Sequence, residues 1–197
     1  MSVAAETDPR QTVARAVWVC IARDGLARTT MRSIARELGT TTGFLSHYFS
    51  NKDEIIEFAI GQIVDAMLLR VGPIAKQPPT LERLEQALHE VMPLDEERRL
   101  ECAVYVNLLG ALVSEDAIHW AFRQQLRDIT ELIGSLIEGV LPADSDTALA
   151  RDSVTAMVDG LTIHALLNPE MFTPERQIEM LHTFLLQQVV ETRLHRP

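Results

Sequence analysis

GLARTTMRSIARELGTTTGFLSHYFSNKD, residues Gly25–Asp53, reads as two short helices joined by a glycine turn. Thr30 is placed to cap the first, whose apolar residues Met31, Ile34, Ala35 and Leu38 recur at helical spacing. Gly39 ends it, because glycine enters the left-handed region without strain. Thr41 or Thr42 opens the second, which turns Leu45 and Phe49 inward. It is otherwise rich in small and hydrogen-bonding residues: Thr41, Thr42, Gly43, Ser46, His47 and Tyr48. That composition suits a helix pressed into a major groove, where base edges offer donors and acceptors. A third helix upstream completes a helix-turn-helix.

Working outward, every segment predicts helix, and strand alternation appears nowhere over more than a few residues. Asp8-Pro9 starts a helix with Val13, Ala16, Val17, Cys20 and Ile21 on one face, stopping near Gly25. Ser50 with Asp53 has the form of a capping box for a long fourth helix, about 51–70. Lys52 at its start sets an ammonium beside helix N-terminal amides, a combination that meets phosphate. Val71 to Pro79, with Gly72, Pro73, Pro78 and Pro79, predicts a connecting loop. Thr80 and Asp95 cap the fifth and sixth helices. The seventh runs from near Ser114 to about Val140, the eighth from Asp144 or Ser145 to about Leu167, and the ninth from Thr173-Pro174-Glu175. The expected fold is all-α, about nine helices.

Net charge is −10, but residues 1–52 hold seven bases against four acids, a net of +3, which leaves −13 on the remainder. A basic head on an acidic body fits a protein that meets phosphate with one end. The longest nearly apolar run, Cys102 to Val113, is too short to cross a bilayer, and no signal peptide is evident, so a cytoplasmic protein with no membrane partner is expected. Cys20 and Cys102 lie in apolar helical patterns and are expected to be buried thiols. No HExxH, GxSxG, CxxC or phosphate-binding glycine loop occurs, and the six histidines do not cluster. No catalytic residue, metal or cofactor is expected.

The whole of Gly25–Asp53 resembles the DNA-binding domain of the tetracycline-repressor (TetR) family in its spacing of glycines, the Ile34-Ala35 pair, the aromatic cluster and Lys52. Ser46 departs from the tyrosine most members carry there. Ser46-His47-Tyr48-Phe49, with Asp159-Gly160-Leu161 and His164 to Pro169, is instead similar to the subgroup of choline-responsive repressors of betaine synthesis. The resemblance implies base contacts from Thr42, Gly43, Phe44 and His47. It implies phosphate contacts from Thr30, Arg32, Tyr48 and Lys52. Thr41 completes the expected DNA-reading set.

The resemblance also implies a helical C-terminal domain with a ligand pocket and a two-helix dimer interface. Residues 1–52 are expected to form the DNA-binding domain and 53–197 the ligand-binding and dimerisation domain, connected by helix four. Helices eight and nine carry more apolar surface than a terminal pair should expose, and burial against a second copy accounts for it. The expected interface residues are Met157, Leu161, His164, Leu181, Phe184, Leu185 and Gln188. Polar and aromatic groups within apolar helices are the candidate ligand contacts: Tyr105, Asn107, His119, Trp120 and Phe122, with Met67 on helix four. The expected partners are a palindromic double-stranded operator, a second copy of the chain and an unidentified small-molecule effector that releases a repressor from DNA. A DNA-binding dimer without a ligand, or an activator, is the alternative.

Overall fold

The computed structural model describes residues 8–112, 119–143 and 145–194, apart from the side chains of 111, 112, 119–123, 125 and 189–194. Asp8 accepts the Arg10 N–H at 2.9 Å and Pro9 supplies the first turn, which opens α1 (Pro9–Asp24). A 3₁₀ turn (Leu26–Arg28) leads to α2 (Met31–Glu37), α3 (Thr42–Tyr48) and α4 (Lys52–Ala75). Then come α5 (Leu81–His89), α6 (Glu96–Leu112), α7 (His119–Val140), α8 (Thr147–Leu167) and α9 (Pro174–Leu194). The described residues contain no strand, so the all-α class read from the sequence holds. None of their helices is long and apolar enough to cross a membrane.

The caps at Thr30, Thr41, Thr80, Asp95 and Thr173 form as expected, each side chain accepting a backbone N–H of the following turn. Three expectations shift. The α4 start is capped by Asn51, which accepts the Glu54 N–H at 2.9 Å, while the Glu54 carboxylate returns to the Ser50 N–H at 2.7 Å. The cap therefore sits one residue later than the Ser50–Asp53 expectation, and the Glu54 arm reaches past it to the backbone of Ser50. Asp146, not Ser145, caps α8; Asp144 and the expected start of helix seven near Ser114 lie outside the described residues.

The third shift is at Val71–Ala75, which continues α4 instead of forming a loop, with Pro73 inside the last turn. Val71 is fully buried and anchors this turn. The carbonyl that Pro73 leaves without a partner belongs to Leu69, whose side chain is 78% exposed, so it lies on the side open to water.

The chain forms two compact units, Met1–Asp65 with Ala103–Gln125 and Ala66–Cys102 with Leu126–Pro197. In the first, Val13, Val17, Cys20 and Ile21 of α1 are buried with Ile34 of α2, Leu45 of α3 and Ile55, Ile56 and Ala59 of α4. The Trp18 indole N–H donates to the Ala59 carbonyl at 2.8 Å, which satisfies its one donor and ties α1 to α4.

The second unit buries Leu84 and Leu88 of α5, Leu136 and Ile137 of α7, Val154, Leu161 and Ala165 of α8, and Leu181 and Leu185 of α9. Both cysteines are buried thiols, and burial pushes Cys102 up to about 12. One charged cluster interrupts this apolar packing. Arg70 forks onto both oxygens of Glu101, at 3.2 and 2.6 Å, and also donates to the Glu90 carbonyl at 3.1 Å. Arg98 donates to Asp95 and to the His89 carbonyl, each at 2.9 Å. Arg99 caps the far end of α8 by donating to the carbonyls of Ala165 and Leu166 at 2.9 and 3.0 Å. Glu101 is only 2% exposed. Burial raises its carboxyl above the ordinary range, and the Arg70 bonds offset part of that.

Removing one member of such a pair strands the other without water. Arg70→Met is expected to destabilise the protein by about 3 kcal/mol in denaturant unfolding. The double variant Arg70→Met/Glu101→Leu is expected to recover most of the loss, and equal losses in the single and double variants would contradict this account of the pair.

Candidate nucleic-acid interface

The turn between α2 and α3 is a Schellman motif. The Gly39 N–H donates to the Arg36 carbonyl at 3.1 Å and the Thr40 N–H to the Ala35 carbonyl at 2.9 Å. This closure needs a left-handed residue, and Gly39 has φ 66°. Thr41 follows in extended backbone, and its hydroxyl accepts the Phe44 N–H at 3.3 Å. Two short connections thus fix where α3 starts.

The seven residues of α3 bury Leu45 alone. Thr42, Gly43, Phe44, Ser46 and His47 are exposed and Tyr48 is half-buried. The aromatic side chains brace one another: Phe44 and Tyr48 have ring centroids 5.2 Å apart, and His47 meets the Tyr48 ring edge-on at 4.9 Å. Phe44, one turn before Tyr48, stays 38% exposed, so an apolar ring is presented in a fixed direction amid hydrogen-bonding groups. The Ser46 hydroxyl donates to the Thr42 carbonyl at 3.0 Å, turning back onto its own helix.

Around α3 stand the residues expected to meet phosphate. Thr30 caps α2 in a reciprocal box, its hydroxyl accepting the Ser33 N–H at 3.1 Å while Ser33 Oγ accepts the Thr30 N–H at 2.8 Å. Its hydroxyl is therefore partly committed. Arg32 is exposed, and Lys52 is half-buried in the first turn of α4. Arg23 is matched by Asp24 at 2.9 Å and Glu37 at 2.8 Å, so part of the positive charge counted from the sequence is neutralised within the unit.

The candidate effector residues divide. Met67 is buried on α4 in the second unit, and Tyr105 and Asn107 are half-buried on α6 in the first. The Asn107 amide donates to the Ala103 carbonyl at 2.9 Å, a local back-bond within its own helix. The side chains of His119, Trp120 and Phe122 lie outside the described residues.

The candidate interface residues divide as well. Leu161, Leu181 and Leu185 are at most 3% exposed within the single chain, so they belong to its own core, where they meet the other helices of their unit. Met157 and Phe184 line an open groove of about 370 Å³ with Met180, Arg176, Glu179 and Thr183. His164 is exposed and stacks on Phe172, centroids 5.1 Å apart, and Gln188 is half-buried. Ile163, Leu167 and Leu186, outside the expected interface set, and Ile178, on the apolar face expected of helix nine, are 37–70% exposed on α8 and α9. Their helical spacing had signalled an apolar face, but not which of two apolar stripes the protomer would consume.

A short polar helix, held by a Schellman turn over a three-helix core and flanked by Arg32 and Lys52, defines a helix-turn-helix DNA-binding domain. The comparisons agree with that class. Residues 15–58 match the family model "Bacterial regulatory proteins, tetR family", and residues 80–190 match "BetI-type transcriptional repressor, C-terminal". The HTH-type transcriptional regulator PksA of Bacillus subtilis is 31% identical over 173 residues, which is 85% of this chain and 83% of that protein. A transcriptional regulator from Rhodococcus sp. Rha1 superposes with a TM-score of 0.79 at 24% identity, covering 93% of this chain and 97% of that one. A putative transcriptional regulator from Saccharomonospora viridis, solved in complex with choline, superposes at 0.78 with 22% identity, covering 91% and 96%. The chain belongs to the TetR family of DNA-binding transcriptional regulators, with a BetI-type C-terminal domain.

These placements separate two roles. Lys52→Ala is expected to weaken binding to every duplex and to lower the slope of log affinity against log salt by about one unit, through one lost phosphate contact. His47→Ala is expected to relax base preference at one position of each half-site, at about 1–3 kcal/mol, with the slope unchanged. Equal effects of both variants on specific and random duplexes would contradict the division.

Proposed function

We propose that the chain is a homodimeric, cytoplasmic repressor that binds a palindromic operator through α3 and leaves it when a small-molecule effector binds the C-terminal region. The observation that carries DNA reading is the exposure of every α3 side chain but Leu45 and Tyr48, on a helix whose start is fixed at both flanking turns. Dimerisation is supported by the exposed Ile163, Leu167, Ile178 and Leu186 and by the groove bearing Met157, Met180 and Phe184. A two-fold pair of reading helices matches an operator with two half-sites.

The BetI-type C-terminal match and the choline held by the Saccharomonospora viridis regulator make a quaternary ammonium the first effector class to test. The charge of −13 beyond residue 52 suits a cationic effector. By linkage, operator DNA must weaken effector binding by the factor through which the effector weakens DNA binding.

Selection from a random duplex pool is expected to return an inverted repeat, with half-site centres about one helical turn, or a multiple of it, apart. Choline is expected to lower affinity for that duplex. Unchanged affinity across choline and related cations would remove the cationic class, and recovery of sites without two-fold symmetry would remove the operator model. For the dimer, sedimentation of the wild type is expected to show two copies at micromolar concentration. Phe184→Glu is expected to yield a folded monomer with helical circular dichroism retained. A Phe184→Glu protein that stays dimeric would place the interface elsewhere.

A further inference from the structure

Arg10 sits in the first turn of α1, outside every segment assigned to DNA reading, yet its surroundings concern α3 and α4. Its guanidinium carbon lies 4.7 Å from the Phe49 ring centroid and 4.6 Å from that of Phe58. The two rings are themselves 5.5 Å apart and inclined at 53°, so the cation fills the angle between them. Arg10 Nε is buried and has no hydrogen-bond partner. A guanidinium nitrogen withdrawn from water without an acceptor is costly, and the two aromatic faces are the contacts that offset it.

The rings mark a junction. Phe49 is the residue that ends α3; it is 2% exposed, and its N–H donates to the Leu45 carbonyl at 3.0 Å. Phe58 lies in the second turn of α4. Only Phe49, Ser50 and Asn51 separate the two helices. The angle between them sets the spacing between the base-reading residues of α3 and Lys52 in the first turn of α4.

We propose that Arg10 is a positioning residue for DNA recognition: held between Phe49 and Phe58, it fixes α3 against α4 so that the base and phosphate contacts fall in register on one half-site. It does so without touching DNA. The Asn51 and Glu54 bonds fix the same junction locally, and the Glu54 carboxyl is held below its ordinary range first by the Ser50 backbone N–H, with the positive charge of Arg10 adding to it. A residue acting this way alters specific binding, which needs the register, and spares non-specific binding, which follows the number of phosphate contacts.

The test compares wild type with Arg10→Met, Arg10→Lys and Phe58→Leu on the selected inverted-repeat duplex and on a scrambled duplex of equal length, over a range of salt. Arg10→Met keeps an unbranched apolar stem and removes the guanidinium cation. It is expected to lower operator affinity about tenfold, leaving scrambled-duplex affinity and the salt slope unchanged. Arg10→Lys is expected to recover part of the loss, since an ammonium also sits on aromatic faces. Phe58→Leu retains the Arg10 charge and is expected to show the same split; it decides the question if Arg10→Met fails to fold. A slope lowered by about one unit in Arg10→Met, with both duplexes weakened alike, would make Arg10 a phosphate contact and overturn the proposal. Unchanged operator affinity in Phe58→Leu would overturn it as well.

Discussion

Leu45 is the one side chain by which α3 is sunk into the core, and the working surface of the protein depends on that economy. A helix of seven residues is far too short to persist in water alone. A helix that leaves its polar faces exposed gains little stability from burial. The remaining order therefore comes from its ends. The Schellman closure at Gly39 and the Thr41 cap fix where α3 begins, and the buried Phe49 fixes where it stops. Each device is local, but each also sets the direction in which the Phe44, His47 and Tyr48 rings are presented.

The second unit solves a different problem. Its helices are long, and their apolar stripes are wide enough to build a core and still leave a surface row on α8 and α9. Within that core, the first turns of α6 gather charge. Glu101 takes Arg70 from α4, and Arg99 reaches the carbonyls at the end of α8. Apolar packing tolerates sliding, whereas a forked ion pair accepts one geometry. The cluster thus gives α4, α6 and α8 a defined register that leucine contacts alone would not.

How far the sequence could be read follows from the range of each interaction. Caps and the glycine turn are local, so Thr30, Gly39, Thr41 and Thr80 were legible from neighbours three residues away. Ser50–Asp53 and Asn51–Glu54 offer the same local pattern one residue apart, and the structure caps α4 with Asn51. Pro73 reads as a breaker in sequence, since nothing local shows that Val71 is buried. Through-space contacts left no trace in spacing: Arg10 meets Phe49 and Phe58 across 39 and 48 positions, and Arg70 meets Glu101 across 31. Periodicity puts Leu161, Leu181 and Leu185 on an apolar face without saying whether the same chain covers it, and here it does.

α3 is the element proposed to distinguish one DNA sequence from another. Backbone amide chemical shifts of the ¹⁵N-labelled chain, recorded with the selected operator duplex and again with a scrambled duplex, test this most directly. Lys52 and the other residues proposed to meet phosphate are expected to shift with both duplexes, because charge is common to them. Thr42, Gly43, Phe44 and His47 are expected to shift strongly with the operator alone. Operator-specific shifts that spare 42–47 and gather on another element would contradict the assignment of α3 as the reading helix.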